Sequence, residues 1–228
     1  MRTAVALLGM SAALLVSGCF AGLHSNQPPQ QQYLLSVPAR PAGAAPAGAG
    51  AAGARAATGT ALEVLAPVAA PGLGGDGIAV IRSGQRLDDY AGVRWAAAAP
   101  AMLQTLAIEA LRRQGRFSLV ESDTGPFAAG YVLSLEVTHF EADYTGAGSG
   151  GEPGDGAGDG AAAPMVHVTL VCTLGRRAGR SIVTTLTVDS RVQAGADRLR
   201  DVIGAFQRAT DQALLRMAGE IVPVMPGR

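Results

Sequence analysis

The chain has 228 residues, formal net charge zero and a mean hydropathy of +0.24. That length allows one domain with a real core plus unstructured segments, and the absence of a basic stripe excludes nucleic acid as a natural partner. Only two cysteines are present and aromatics make up 4% of the residues, so a disulfide framework is not expected and each aromatic carries more structural weight than usual.

The first residues are built like an export signal. Arg2 and the free amine supply positive charge, Ala4 to Val16 is an apolar run too short to span a bilayer, and small residues lead to Cys19. Val16-Ser17-Gly18-Cys19 resembles the bacterial lipobox, in which the thiol is acylated and the bond before it is cut. Residues 1–18 are therefore expected to be a lipoprotein signal peptide, with Cys19 the lipidated new N-terminus. Residues 19–61 follow as tether and Ala/Gly/Pro-rich linker, with a composition that cannot offset its own ordering entropy. Tyr33-Leu34-Leu35 interrupts it, an apolar patch that suits an isolated edge strand.

The folded domain is expected over residues 62–222. Leu62 to Leu65, Ile78 to Arg82 and Arg86 to Tyr90 read as three short strands of a meander, with Gly74-Gly75-Asp76-Gly77 as a turn. From Pro100, apolar residues recur at helical spacing until Gly115. Phe117 to Val120 starts a new strand, and Gly130 to Asp143 a long one. Residues 145–164 are a Gly/Ala/Asp-rich insertion. Two strands, Val166 to Leu174 and Ile182 to Val192, alternate apolar and polar residues around a basic turn at Arg176 to Arg180. Leu199 to Met217 carries a single apolar stripe, and Pro223 ends that helix. The fold class is α+β: an antiparallel sheet with two amphipathic helices packed on one face, leaving a Thr-, Ser- and His-bearing face opposite.

No catalytic constellation emerges, and no cofactor or metal is expected. There is no nucleophile elbow, phosphate loop or dinucleotide fingerprint. Asp88 and Asp89 are strand neighbours and point to opposite faces. Glu152, Asp155 and Asp159 lack the spacing of a calcium loop and read as solvated linker. His139 and His167 stand on strands that a hairpin would join, but a zinc pair needs a third ligand and none is identifiable. Cys172 lies in an apolar strand and reads as a buried, inert thiol. Trp95, the single tryptophan, precedes the first helix and reads as a plug at that corner, with Arg94 exposed; direct contact with a ligand is the lesser alternative.

The order of these features resembles a family. A lipobox, Tyr33-Leu34-Leu35, the strand Ile78 to Arg82, Leu87-Asp88-Asp89-Tyr90, Arg94-Trp95 and an amphipathic helix ending before Phe117 are similar to the ABC-type transport auxiliary lipoproteins (paraquat-inducible protein C-like). The chain departs from that pattern in its insertion after Arg40, its acidic-Gly loop after Tyr144 and the run Ala96 to Ala99. The resemblance implies a non-enzymatic envelope lipoprotein that docks a transport conduit at the periplasmic face of the outer membrane. It implies an MCE-domain protein and ABC transporter components as partners, and membrane lipid through acylated Cys19. Phe20 after that cysteine, where Asp would favour inner-membrane retention, fits outer-membrane delivery. Tyr90, Arg94 and Trp95 are the candidate contacts with a partner or ligand, and homo-oligomerisation stays open. A lipid carrier and a structural lipoprotein of an outer-membrane assembly are the alternatives. The patch at Tyr33 sets the reach: if it joins the sheet, the tether Phe20 to Gln32 spans about 20 Å on average and about 45 Å at full stretch.

Overall fold

A computed structural model describes residues 30–36, 60–82, 86–146 and 163–225. The expected signal peptide, Cys19, most of the linker and most of the 145–164 insertion lie outside the described residues. The strands are β1 (Gln31–Tyr33), β2 (Thr60–Val64), β3 (Val68–Ala69), β4 (Gly77–Arg82), β5 (Arg86–Trp95), β6 (Phe117–Ser122), β7 (Tyr131–Asp143), β8 (Met165–Arg176) and β9 (Ser181–Gln193). Helix α1 (Ala99–Arg113) follows β5, and α2 (Leu199–Val224) closes the chain.

The sheet is organised on β7. Along one edge β7 pairs antiparallel with β8 over nearly its whole length, from Tyr131↔Arg176 to Asp143↔Met165, and β8 pairs likewise with β9. Along its other edge β7 takes three short strands in succession. β2 lies against Tyr131 to Leu133, β3 against Glu136 and Val137, and β4 against Ala142 and Asp143, all parallel to it. β6 adds parallel to β2, β5 antiparallel to β4, and β1 parallel to β5.

The sheet is therefore mixed, which corrects the antiparallel expectation. The meander expected of β2, β4 and β5 is likewise replaced: only β4 and β5 form a hairpin, and β2 reaches β7 instead. The physical reason is burial. Leu62, Val64, Ile78 and Val80 are all fully buried, and short strands docked on a long central one are covered on both faces.

Both helices pack on one face and touch each other, α1 against β6 and β2, α2 against β8 and β9. The 3.6-residue period does this: Met102, Leu103, Leu106, Ala107, Ala110 and Leu111 are the buried stripe of α1, and Val202, Phe206, Ala209, Ala213 and Met217 that of α2. Pro100 stands in the first turn of α1, where its missing N–H costs nothing. Gly115, at φ 63°, turns the chain out of α1 in a conformation that Cβ-bearing residues resist. Helix α2 runs one residue past Pro223.

The Tyr33 patch does join the sheet, through Gln31, Gln32 and Tyr33 against Val93, Arg94 and Trp95. Leu35 is buried behind it, and the Ser36 N–H donates to Gln207 Oε1 of α2 at 2.9 Å. At the opposite end, Arg177 in the turn after β8 bonds Glu63 of β2 at 2.5 Å.

Candidate functional site

Two clusters hold the residues singled out by the sequence. The first is the end of β5. The turn through Gly74 to Gly77 is fastened to it by backbone bonds from Trp95 N–H to Asp76 O, 2.7 Å, and from Ala99 N–H to Gly75 O, 2.9 Å. A Cβ at Gly77 would meet the exposed Asp89 carboxylate, which would have to swing aside.

Trp95 is 1% exposed. Its indole packs at 5.6 Å on Phe140 and at 5.2 Å, edge to face, on Phe206, and those two rings stand 5.1 Å apart. The three rings fill the space between the sheet and α2. The indole N–H makes no hydrogen bond within the described residues. Arg94, next in the chain, turns outward as strand alternation demands; its side chain is 41% exposed and Nη1 lies 3.4 Å from Asp76 Oδ2.

Tyr90 points into a polar relay: its hydroxyl lies 2.6 Å from that of Tyr144, which donates to Asp197 Oδ1 at 2.5 Å. Burial pushes both phenols above their ordinary range, and for Tyr144 the Asp197 hydrogen bond adds to it. The structure thus places Trp95 inside, Arg94 outside and Tyr90 half-buried, three residues of one strand with three different environments.

The second cluster stands on the opposite face of the sheet. Alternation along β7 buries Leu133, Leu135 and Val137, and would turn His139 inward. A bulge between Val137 and His139 shifts the register, so that Phe140 and Ala142 continue the buried row and His139 and Glu141 both face out. Glu141 then lies directly across from His167 of β8, and His139 across from Thr169. The two imidazoles stack at 4.0 Å between centroids. Glu141 is 2% exposed and has both rings against it. Its Oε1 is 2.8 Å from His139 Nδ1 and 3.6 Å from His167 Nδ1, while Oε2 accepts the Phe140 backbone N–H at 2.6 Å. On its far side, His167 Nε2 is 2.5 Å from Asp189 Oδ1 of β9, which also accepts from Thr169 Oγ1 at 2.6 Å. These hydrogen bonds, Thr169 first, hold the Asp189 carboxyl below the usual carboxylate range.

The sequence reading found no third donor beside the histidines. The structure supplies one, Glu141, whose ligand atom lies within 4.8 Å of theirs. One signal for it stood in the sequence: the apolar alternation skips from Val137 to Phe140, a one-residue slip that marks a bulge.

Cys172 is fully buried on the helix side, and burial pushes its thiol up to about 12, so it is no nucleophile at neutral pH. A depression of about 520 Å³ on the outside of α1 is lined by Gln104, Glu109, Arg112, Arg113 and Glu121, among others. That lining mixes these polar and charged groups with Leu106 and Ile108. Among the described residues no helix is long and apolar enough to cross a membrane.

The sequence matches the model of the family described as ABC-type transport auxiliary lipoprotein component, over residues 33–218. Among solved structures the fold is similar to a Xanthomonas campestris protein, with TM-score 0.66, 22% identity, and coverage of 85% of this chain and 95% of that one. It is also similar to an uncharacterised protein, with TM-score 0.55, 16% identity, and coverage of 71% and 92%. At these identities the likeness is one of fold. No curated protein matches the sequence.

Proposed function

We infer the function from a premise that the family match supplies: the chain belongs to the ABC-type transport auxiliary lipoprotein component family. It serves a transport system as an accessory lipoprotein. Within that role we propose that it is a non-enzymatic docking component, held by acylated Cys19 on the periplasmic face of the outer membrane. There it receives the conduit of an MCE-domain protein working with an ABC transporter. Phe20 after the cysteine supports that membrane, and residues 1–18 are the signal peptide removed on the way.

The observation that favours docking over lipid carriage is the filling of the space around Trp95. A carrier would keep a cleft beneath this indole for an acyl chain, whereas Phe140 and Phe206 occupy it. The partner surface we propose is the exposed side of β5 between β1 and β4, with Arg94 and the exposed rim of Tyr90 as contacts and Trp95 as the buried anchor that fixes the strand.

The anchor limits where docking happens. β1 begins at Gln31, so the covalent path from Cys19 to the sheet is at most about 40 Å long. Tagged protein purified from crosslinked membranes is expected to bring down an MCE-domain protein. Recovery of the tagged protein from the outer-membrane fraction with no such partner would overturn the reading and leave a purely structural lipoprotein. A Cys19→Ala variant is expected to leave the membrane fraction.

A further inference from the structure

We propose that His139, Glu141 and His167 form a binding site for one divalent transition-metal ion of the zinc class, on the sheet face away from the helices. The ligands would be two imidazole Nδ1 atoms and one carboxylate oxygen.

The case rests on which atoms face each other. Asp189 Oδ1 lies 2.5 Å and Thr169 Oγ1 2.9 Å from His167 Nε2, so that side of the ring is already engaged. Nδ1 of that ring faces Glu141 Oε1 at 3.6 Å, too far for a hydrogen bond. Glu141 cannot ease this, because its other oxygen is already engaged by the Phe140 N–H. His139 Nδ1, His167 Nδ1 and Glu141 Oε1 thus converge at a carboxylate that is 2% exposed. A buried carboxylate is costly unless its charge is compensated, and a cation held between these three atoms would compensate it.

The dimensions fit. Donors about 2.1 Å from a tetrahedral zinc ion lie about 3.4 Å from one another. The separations to Glu141 Oε1, 2.8 Å from His139 Nδ1 and 3.6 Å from His167 Nδ1, bracket that value. His139 is the adjustable ligand. Its side chain is 46% exposed, so the ring is free to turn out of the stack and aim Nδ1 at the ion. The His167 ring is the fixed one, held from behind by a carboxylate, the arrangement that orients histidine ligands in metal centres. Thr169 holds that carboxylate in turn at 2.6 Å, and Arg191 lies 3.4 Å from its other oxygen. Two imidazoles and one carboxylate leave a fourth position open to water.

The bulge in β7 gives independent support. With regular pairing of the same residues His139 and Glu141 would both turn into the core, so the bulge is what brings these two donors to this face.

The test uses the full chain in detergent, without a histidine tag and stripped of metal. Titration with Co²⁺ is expected to give visible d–d absorption of a low-coordinate site saturating at one ion per chain, displaced by Zn²⁺. His139→Ala, at a half-exposed position that leaves the core intact, is expected to weaken Zn²⁺ binding at least tenfold with an unchanged circular dichroism spectrum. Glu141→Gln is expected to weaken it as well, and His24→Ala, remote in sequence, to leave it unchanged. Absence of a saturating Co²⁺ signal in the wild type would overturn the proposal. So would His139→Ala binding as tightly as the wild type, or loss of binding in His24→Ala alone.

Discussion

Replacing Trp95 distinguishes a core plug from a ligand contact. The side chain is 1% exposed and touches two other rings. A buried tryptophan hides about 200 Å². At about 25 cal/mol per Å², and allowing for the area that alanine keeps, Trp95→Ala loses about 4 kcal/mol, within the range seen for emptied aromatic sites. Domains have only about 5–15 kcal/mol in total. With a urea slope of about 2 kcal/mol per molar, the unfolding midpoint falls by about 2 M. Trp95→Phe should cost much less, at most about 1.5 kcal/mol. The phenyl ring keeps the stack on Phe140 and Phe206, and the substitution removes an indole N–H that has no hydrogen-bond partner among the described residues. The assay is urea unfolding of the chain from Phe20 onward, followed by far-ultraviolet circular dichroism because Trp95 is the only tryptophan. An unmoved midpoint for Trp95→Ala together with lost partner capture would refute the plug and make the indole a contact. Equal losses for the alanine and phenylalanine variants would refute the energetic reasoning instead.

The buried thiol makes an alkaline prediction. Cys172 is held near 12 in the fold, against about 8.5 in an unfolded chain, so the unfolded form loses its proton first as pH rises. Stability should therefore fall from about pH 9 upward. Cys172→Ala should flatten that slope, and the native thiol should ignore a disulfide reagent until urea is added. The phenols add a second decline from about pH 10, since their folded values are also raised. Tyr144→Phe should remove much of this second slope and, by breaking the bonds to Tyr90 and Asp197, cost about 1–2 kcal/mol at neutral pH. Gly77→Ala should destabilise by less than about 1 kcal/mol in thermal melts, because the exposed Asp89 carboxylate that its Cβ meets can swing aside. Full recovery in Gly77→Ala/Asp89→Ala would identify the clash as the cause.

Elements with a strong local period were legible in the sequence. Both helices, β7, β8 and β9 stand within a few residues of where the pattern put them, since a buried stripe or alternating row is written in consecutive residues. Pairing was less legible. Leu62 to Val64 is a strand in either neighbourhood, and nothing local says that its partner is Leu133 rather than Val80. The two residues of β3 bury too little to leave a pattern, Val68 being 67% exposed. The histidine cluster was half legible: two of its members were picked out, while Glu141 was not singled out, because its relation to His167 depends on the bulge register.

The use of one strand as a shared seat for three others has a kinetic meaning. The β7–β8–β9 ladder joins neighbours in the chain, so it can form early. β2 and β4 meet β7 across about sixty to seventy residues of intervening chain, and parallel pairing over such spans is slow to find. The N-terminal strands must then wait, unpaired, until β7 exists to receive them. Since translocation or synthesis delivers them first, Leu62, Val64, Ile78 and Val80 would face water longest, and that interval is when the chain is most exposed to aggregation and most in need of a chaperone. Mutations in the β7–β8 hairpin should accordingly slow folding, whereas those in β2 should chiefly speed unfolding.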